Sequence, residues 1–381
     1  MLATFLNSKP LYYDVIDYTR MPRVYESLKD KLKLPKIIHL IGTNGKGTTG
    51  RFLATALYSL GFQTAHYTSP HILNFNERIW LNGKNIENEI LEKYHLKLLK
   101  LLSKSDADTL SYFEYTTLLV ILICENMDYV VLEAGLGGEH DATAVFKNVL
   151  TLVTPIGIDH EAFLGTNITD IARTKLSGVQ KTAILASQKY EEVYKVAEEV
   201  SFKKCISMKR HETYITKEDQ NKIDLIAKEN DLEEYLKENL TLSIAAVKHL
   251  GLEYSIKDFN KSRLFGRLSK IGENILVDVG HNTLAAKRIV ESLKSFKYTL
   301  VYNSYKDKNY TEILCILRPI IDDIEIIEIK DERVEKKVMM EKALEQVNFK
   351  YKTFKSIDKG KNYLVFGSFS VVEAFLKVYS E

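Results

Sequence analysis

Along the chain, short runs rich in Val, Ile and Leu alternate with longer stretches whose apolar residues recur at helical spacing. The strands this predicts are "KIIHLI" (36–41), "DYVVLEAG" (128–135), "NVLTLVTP" (148–155) and "KTAILAS" (181–187). Later come "NILVDVG" (274–280), "YTLVYN" (298–303), "DIEIIEI" (323–329) and "NYLVFGS" (362–368). Between strands, residues 51–60, 112–124 and 232–250 have the length and periodicity of helices. Such alternation predicts parallel sheets covered by helices, as in doubly wound α/β folds. It breaks at 210–228, where "HETYIT" and "KIDLIAK" read as paired strands rather than crossover units. After Gly251 a polar, basic stretch, "YSIKDFNKSRLFGRLSKIGENI", precedes the return of the strand pattern. The domain boundary is therefore expected near residues 266–273, with 1–268 as a large domain and 269–381 as a smaller one.

Composition narrows the function classes. A chain of 381 residues that is 45% hydrophobic can fill two cores, and a formal net charge of +2 does not suggest a polyanion-binding surface. Cys124, Cys205 and Cys315 are far apart and form no Cys-x-x-Cys pair, so neither a disulfide framework nor a zinc knuckle is indicated. The longest apolar run, "LLVILIC" (118–124), is far short of the ~20 residues that span a bilayer. A cytoplasmic monomer is expected, with neither nucleic acid nor membrane as partner.

The first chemical signal is "HLIGTNGKGTTGRF" (39–52). In the usual phosphate loop, Gly-x-x-x-x-Gly-Lys-Ser/Thr, backbone N–H groups and a lysine hold phosphates while the last hydroxyl meets Mg²⁺. Here Gly42, Gly45 and Gly47 permit the tight turn, Thr43 and Asn44 lie between them, and Lys46 brings the charge. Thr48 and Thr49 offer hydroxyls at a helix N-terminus. A ligand-free glycine-rich turn is the plainer alternative. A phosphate-bound Mg²⁺ usually needs a carboxylate, and "DYVVLEAGLGG" ends an apolar strand at Glu133 before glycines that leave room for a ligand. "HYTSPHILNFNERI" and "PIGIDHEAFLG" end comparable strands, so Ser69, Glu133 and His160 are expected to converge at the C-terminal edge of a sheet. A histidine in a loop is weak evidence alone, since Mg²⁺ prefers oxygen.

Taken in order, these segments resemble the folylpolyglutamate synthase and dihydrofolate synthase family of the Mur ligase superfamily, over nearly the whole chain. The resemblance is carried by "GTNGKGTT" (42–49), "TSPHILNFNERI" (68–79), "FEYTT" (113–117), "LEAGLGGEHDAT" (132–143), "IGIDH" (156–160) and "ARTK" (172–175). It continues through "ENLTLSIAA" (238–246), "FGRL" (265–268), "DVGHN" (278–282), "KDKN" (306–309) and "VFGSF" (365–369). The resemblance implies a P-loop, Mur-ligase-like large domain with a smaller Rossmann-like α/β domain at the C-terminus that closes on the nucleotide. It implies an ATP- and Mg²⁺-dependent ligase that joins L-glutamate to dihydropteroate, to folate polyglutamates or to both, through an acyl phosphate, releasing ADP and phosphate. A Mur-type ligase for another acceptor and a P-loop ATPase without ligation are the competing readings.

By motif position, the resemblance implies that Lys46 holds the β- and γ-phosphates and that Thr48 and Glu133 bind one Mg²⁺. Ser69 and His160 join a second metal, with Lys175 carbamylated beside it. Asn239 contacts adenine, Arg267 reaches the phosphates, and Asp278 and His281 approach the nucleotide; Asp307 and Lys308 belong to a further motif of the small domain. Phe113, Asp141 and Ala142 occupy the dihydropteroate pocket. The chain departs from the family at Glu139 and Ala144, where Arg and Asn are usual, at "TKLSG", where the glycine is shifted, at Tyr235, where a histidine is expected, and at Val279 and Gly280 in "DVGHN".

Overall fold

The computed structural model describes residues 1–10, 17–294 and 296–380. Its residues cluster in two compact units: Met1–Ser69, Phe75–Leu232 and Leu236–Ser262 form the first, and Pro70–Asn74, Glu233–Tyr235 and Arg263–Glu381 the second.

Among the described residues the first unit holds an eight-stranded sheet: β1 (Lys36–Ile41), β2 (Thr64–Tyr67), β3 (Ile79–Leu81), β4 (Lys84–Asn85), β5 (Tyr129–Glu133), β6 (Leu150–Val153), β7 (Thr182–Leu185) and β8 (Ser207–Arg210). The order is β4-β3-β2-β5-β1-β6-β7-β8, parallel from β2 to β8, with β3 and β4 added antiparallel at one edge. Alternate residues of the central strands enter different cores. Ile37, Val130 and Leu132 pack in one, Ile38, Leu40 and Val131 in another. Both faces are thus covered, which is why these strands read as continuous apolar runs.

The second unit holds β9 (Ser269–Ile271), β10 (Ile275–Val277), β11 (Tyr298–Tyr302), β12 (Ile321–Ile326), β13 (Tyr351–Thr353) and β14 (Tyr363–Phe366). The order β13-β12-β11-β14-β10-β9 is parallel except for β9 against β10. Leu300 and Leu364 face one core, Val301 and Val365 the other.

All eight strands expected from the sequence are present, shorter by a residue or more at most ends. The expected strand pair at 210–228 is corrected: "HETYIT" opens with a 3₁₀ turn at His211–Thr213, and "KIDLIAK" lies in an α-helix, Lys217–Glu229. Thr216 starts that helix with a capping box, its hydroxyl accepting from Asp219 N while the Asp219 carboxylate accepts from Thr216 N. Such a cap contributes about 1 kcal/mol. Ile223, Ile226 and Ala227 then fall on one buried face. Asp219 also accepts from Lys248 and from the Tyr254 hydroxyl, tying the cap to neighbouring segments. Among the described residues no helix is long and apolar enough to cross a membrane.

Candidate functional site

β1 runs out at Ile41 and the chain turns sharply through Gly42 to Gly45. Gly45 has φ 90°, and a β-carbon there would overlap the side-chain oxygen of Asn239. A side chain at Gly42, φ 137°, would overlap Thr154. The turn is pinned from outside: the N–H groups of Thr43 and Asn44 donate to Pro155 O at 3.0 and 3.3 Å. The Thr43 hydroxyl donates to Gly157 O and accepts from Gly157 N, both at 3.0 Å. With those two amides used, the donors left for a phosphate are the N–H groups in the first turn of the helix Lys46–Ser59, where the helix dipole also favours an anion.

Several groups meet at this helix end. Lys46 Nζ bends back to Gly42 O (3.3 Å) and Thr43 O (3.4 Å) and lies 3.8 Å from Glu133 Oε1. The Thr48 and Thr49 hydroxyls are buried without a hydrogen-bond partner among the described residues. Glu133 closes β5, opposite Leu40 of β1, and is buried. Its Oε2 accepts from the Thr68 hydroxyl and, at 3.4 Å, from Ser69 N. An unmet threonine hydroxyl and a buried carboxylate are hard oxygen donors, the chemistry Mg²⁺ selects, so these residues fit that ion. Among the described residues no three His, Cys, Asp or Glu side chains gather as a metal cage. Mg²⁺ sites in phosphoryl-transfer enzymes commonly use only one or two carboxylates together with substrate phosphates. His160 is exposed, caps the short helix Glu161–Leu164 in the left-handed conformation (φ 54°), and takes Asp159 Oδ1 on its backbone N–H at 2.9 Å.

Lys175 lies in the helix Ile168–Leu176, which Asn167 caps by accepting from Asp170 N. Its side chain turns inward, 4% exposed, and donates to Gly42 O at 3.1 Å. Two lysines therefore share one carbonyl of the loop. Burial, reinforced by the Lys46 charge, pulls Lys175 down to about 7 from its ordinary 10.5, while Asp159 and Asp141 oppose the fall.

Just beyond β5 two aromatic rings meet against the chain. Ser111 and Glu114 form a capping box at the start of the helix Tyr112–Ile123, and Arg20 holds the Glu114 carboxylate at 2.9 Å. That fixes Phe113 in the first turn, where its ring faces Gly135 and stacks on Tyr67 with centroids 5.9 Å apart. Asp141 and Ala142, both buried, start a 3₁₀ turn at Ala142–Val145. Asp141 accepts at Oδ2 from Leu136 N (2.7 Å), and at Oδ1 from Thr143 N (2.9 Å) and the Thr143 hydroxyl (2.5 Å). Burial pushes its carboxyl up, and those donors oppose the rise. Glu139 is exposed, and Ala144 sits at half burial.

Asn239 belongs to the first unit, in the helix Glu234–His249, and is buried against Gly45. The second unit groups Arg267, Asp278 and Tyr235. Asp278 accepts from Gly280 N (2.7 Å), Leu268 N (2.8 Å) and the Tyr235 hydroxyl (3.3 Å). Burial raises its carboxyl, and the Arg267 charge works against that. His281 Nδ1 lies 3.2 Å from Val279 O, and Lys308 pairs with Asp307 at 2.9 Å. Sequence reasoning missed the Thr68 hydroxyl on Glu133, the buried Asp159 beside His160, and the Thr43–Gly157 clip. The motifs "TSP", "IGIDH" and "GTNG" contain all of them, but nothing in their spacing marks which member bonds across the fold.

No family model matches the chain. It is similar to the dihydrofolate synthase/folylpolyglutamate synthase of Buchnera aphidicola subsp. Baizongia pistaciae, 31% identical over 315 residues, covering 76% of this chain and 72% of that protein. Its structure is similar to Helicobacter pylori folylpolyglutamate synthetase, with 35% identity, coverage of 100% and 98%, and a TM-score of 0.81. It is also similar to Escherichia coli FolC in complex with DHPP and ADP, with 25% identity, coverage of 100% and 97%, and a TM-score of 0.83.

Proposed function

Because the chain belongs to the dihydrofolate synthase/folylpolyglutamate synthase family, we propose that it joins L-glutamate to dihydropteroate and to folates in an ATP-dependent, ADP-forming reaction. The observation that carries this reading is Lys46, 3.8 Å from Glu133 at the end of β5, with the unmet Thr48 hydroxyl in the same first turn and the Phe113 ring against Gly135, two residues beyond Glu133. A phosphate site close in the fold to an aromatic ring and a buried carboxylate suits a reaction in which ATP activates a carboxylate of a ligand bound there.

A carboxylate resists attack by an amine because oxide would have to leave. One carboxylate oxygen of the pterin substrate therefore attacks the γ-phosphorus, and the bond to the bridging oxygen of ADP breaks. The neutral amine of glutamate adds to the carbonyl carbon of the acyl phosphate, and the tetrahedral intermediate expels phosphate as the amine loses its proton. Lys46 and the first-turn N–H groups of its helix hold the phosphates and offset their charge. Thr48 and Glu133 would hold one Mg²⁺, and Ser69 and His160 a second. The ions supply charge neutralisation where phosphoryl oxygens gather. Asn239 is assigned to adenine, and Arg267, Asp278 and His281 to the nucleotide. Phe113, Asp141 and Ala142 are assigned to the pterin, Phe113 by stacking and Asp141 by accepting from an amino-pyrimidine edge. Residues 1–268 thus carry the phosphate loop and pterin pocket, and 269–381 supply Asp278 and His281.

Lys175 is assigned as a carbamate. A lysine held at about 7 is substantially neutral at physiological pH. Its free amine can bond to the carbon of CO₂ and lose a proton, becoming an anion where a cation would repel metal and acyl phosphate. The free thiols Cys124, Cys205 and Cys315 accord with a reducing cytoplasm, and the protein is assigned as a monomer.

The deciding experiment measures ADP formation with and without L-glutamate, supplying dihydropteroate or tetrahydrofolate as acceptor. Turnover that requires both glutamate and a pterin is expected. ADP release indifferent to either would replace the ligase with an ATPase.

A further inference from the structure

A histidine buried in a central strand needs a reason, and His39 in β1 is 1% exposed. Its Nε2 lies 2.7 Å from the Thr143 hydroxyl, 104 positions away in sequence. A hydroxyl has one hydrogen, and that of Thr143 goes to Asp141 Oδ1 at 2.5 Å, the oxygen that also accepts from Thr143 N. The Thr143 oxygen must then accept from His39, which places the imidazole proton on Nε2. His39 Nδ1, buried and without a partner among the described residues, is the bare nitrogen of that tautomer. Burial holds the ring near 4, so it is neutral at physiological pH and the direction of the bonds is fixed. They run from His39 Nε2–H to Thr143, and from Thr143 O–H to Asp141.

The same carboxylate is held from two other sides, by Leu136 N at Oδ2 and by Thr143 N at Oδ1. Oδ1 has both lone pairs taken. Oδ2 keeps one, and the plane of the group is set by the other bonds. An acceptor frozen in one orientation suits a planar ligand that presents fixed N–H donors, since no side-chain rotation is lost on binding.

We propose that His39 is a positioning residue for the pterin substrate, orienting the Asp141 carboxylate through the Thr143 hydroxyl. This rests on the assignment of Asp141 to the pterin made above. It gives β1 a second task besides leading into the phosphate loop.

The test compares His39→Leu with His39→Gln, whose Nε2 lies the same number of bonds from Cα and can still donate to Thr143. His39→Leu is expected to raise KM for dihydropteroate or tetrahydrofolate about tenfold, the effect of losing one orienting hydrogen bond. KM for ATP should change less than about twofold, and His39→Gln should restore most of the pterin affinity. Thr143→Val should match His39→Leu, and the double variant should be no worse than Thr143→Val alone, since both break one chain of bonds. Three results would overturn the proposal. One is an unchanged pterin KM in His39→Leu, another an equal rise in the KM for ATP, and the third a His39→Gln protein that melts like wild type yet binds pterin as poorly as His39→Leu. If His39→Leu does not fold, the Gln and Thr143→Val variants decide alone. Wild-type protein showing no pterin-dependent turnover would refute the ligase reading itself, a failure distinct from an active enzyme indifferent to His39.

Discussion

Replacing Lys175 with methionine is expected to stabilise the folded protein at neutral pH while removing most of its turnover. A lysine whose ordinary value is 10.5 and whose folded value is about 7 binds its proton more weakly in the native chain than in the unfolded one. Between those pH values the unfolded state holds more protons, so stability rises with pH across the window, and the destabilisation is fully present below about 7. At 1.36 kcal/mol per pH unit the gap is worth at most about 5 kcal/mol. Methionine removes that cost but also loses the bond to Gly42 O, about 1.5–3 kcal/mol for a charged donor. A net gain of about 1–3 kcal/mol at pH 7 remains. Urea denaturation in CO₂-free buffer at pH 6.5, 7.5 and 9 measures it, with other titrating groups cancelling in the difference between the two proteins. The gain should shrink by about 2–3 kcal/mol at pH 9, as Lys175 sheds its proton in the folded protein while the unfolded chain keeps it. Parallel curves at all three pH values, or a variant less stable at pH 7, would show that the ammonium is not strained by its surroundings.

Lys46→Ala and Glu133→Gln should each lower turnover more than a hundredfold with thermal melting near wild type; either variant turning over normally at saturating ATP and Mg²⁺ would remove it from the site. Lys175→Ala should regain part of its activity in a short carboxylic acid and wild type should respond to added bicarbonate, with a native mass carrying one CO₂ as the direct readout. Arg267→Ala and His281→Ala should lower turnover about tenfold or more, and full activity in both would detach the second unit's residues from the nucleotide.

What could be read from the chain alone follows how local the cause is. β1, β5 and β6 are legible because burial on both faces leaves runs made mostly of Ile, Leu and Val, and the glycine-rich turn because its parts sit within eight consecutive residues. The helix Lys217–Glu229 misleads because Ile223 and Leu225 alternate with polar neighbours like a strand. The Thr216–Asp219 cap three residues apart outweighs that hint. β3, β4 and β9 are two or three residues long and exist through pairing with a neighbour, so no run announces them. Site contacts divide in the same way. Gly42 to Thr49 stand side by side in the chain, whereas Thr43 meets Gly157 across 114 positions. The sign of the environment at Lys175 is equally hidden, because a lysine in the pattern "ARTKLSG" reads the same whether it faces water or the underside of the loop.

The second unit is discontinuous, and this constrains how the protein can be made. Ile72 packs against Gly266 and Val279, and Tyr235 gives its hydroxyl to Asp278, although both residues precede the main body of the unit in the chain. A fragment of residues 263–381 alone would therefore carry a hole where Ile72 belongs and a buried carboxylate short of one donor. On the ribosome the order is worse still, since chains emerge N-terminus first. The isoleucine and the tyrosine leave the exit tunnel before Gly266, Asp278 and Val279 and wait uncovered until those residues follow. Asp278 is itself held through its N–H to Val365 O at 2.9 Å, so both side chains are fully covered only once the residues up to β14 have emerged and paired.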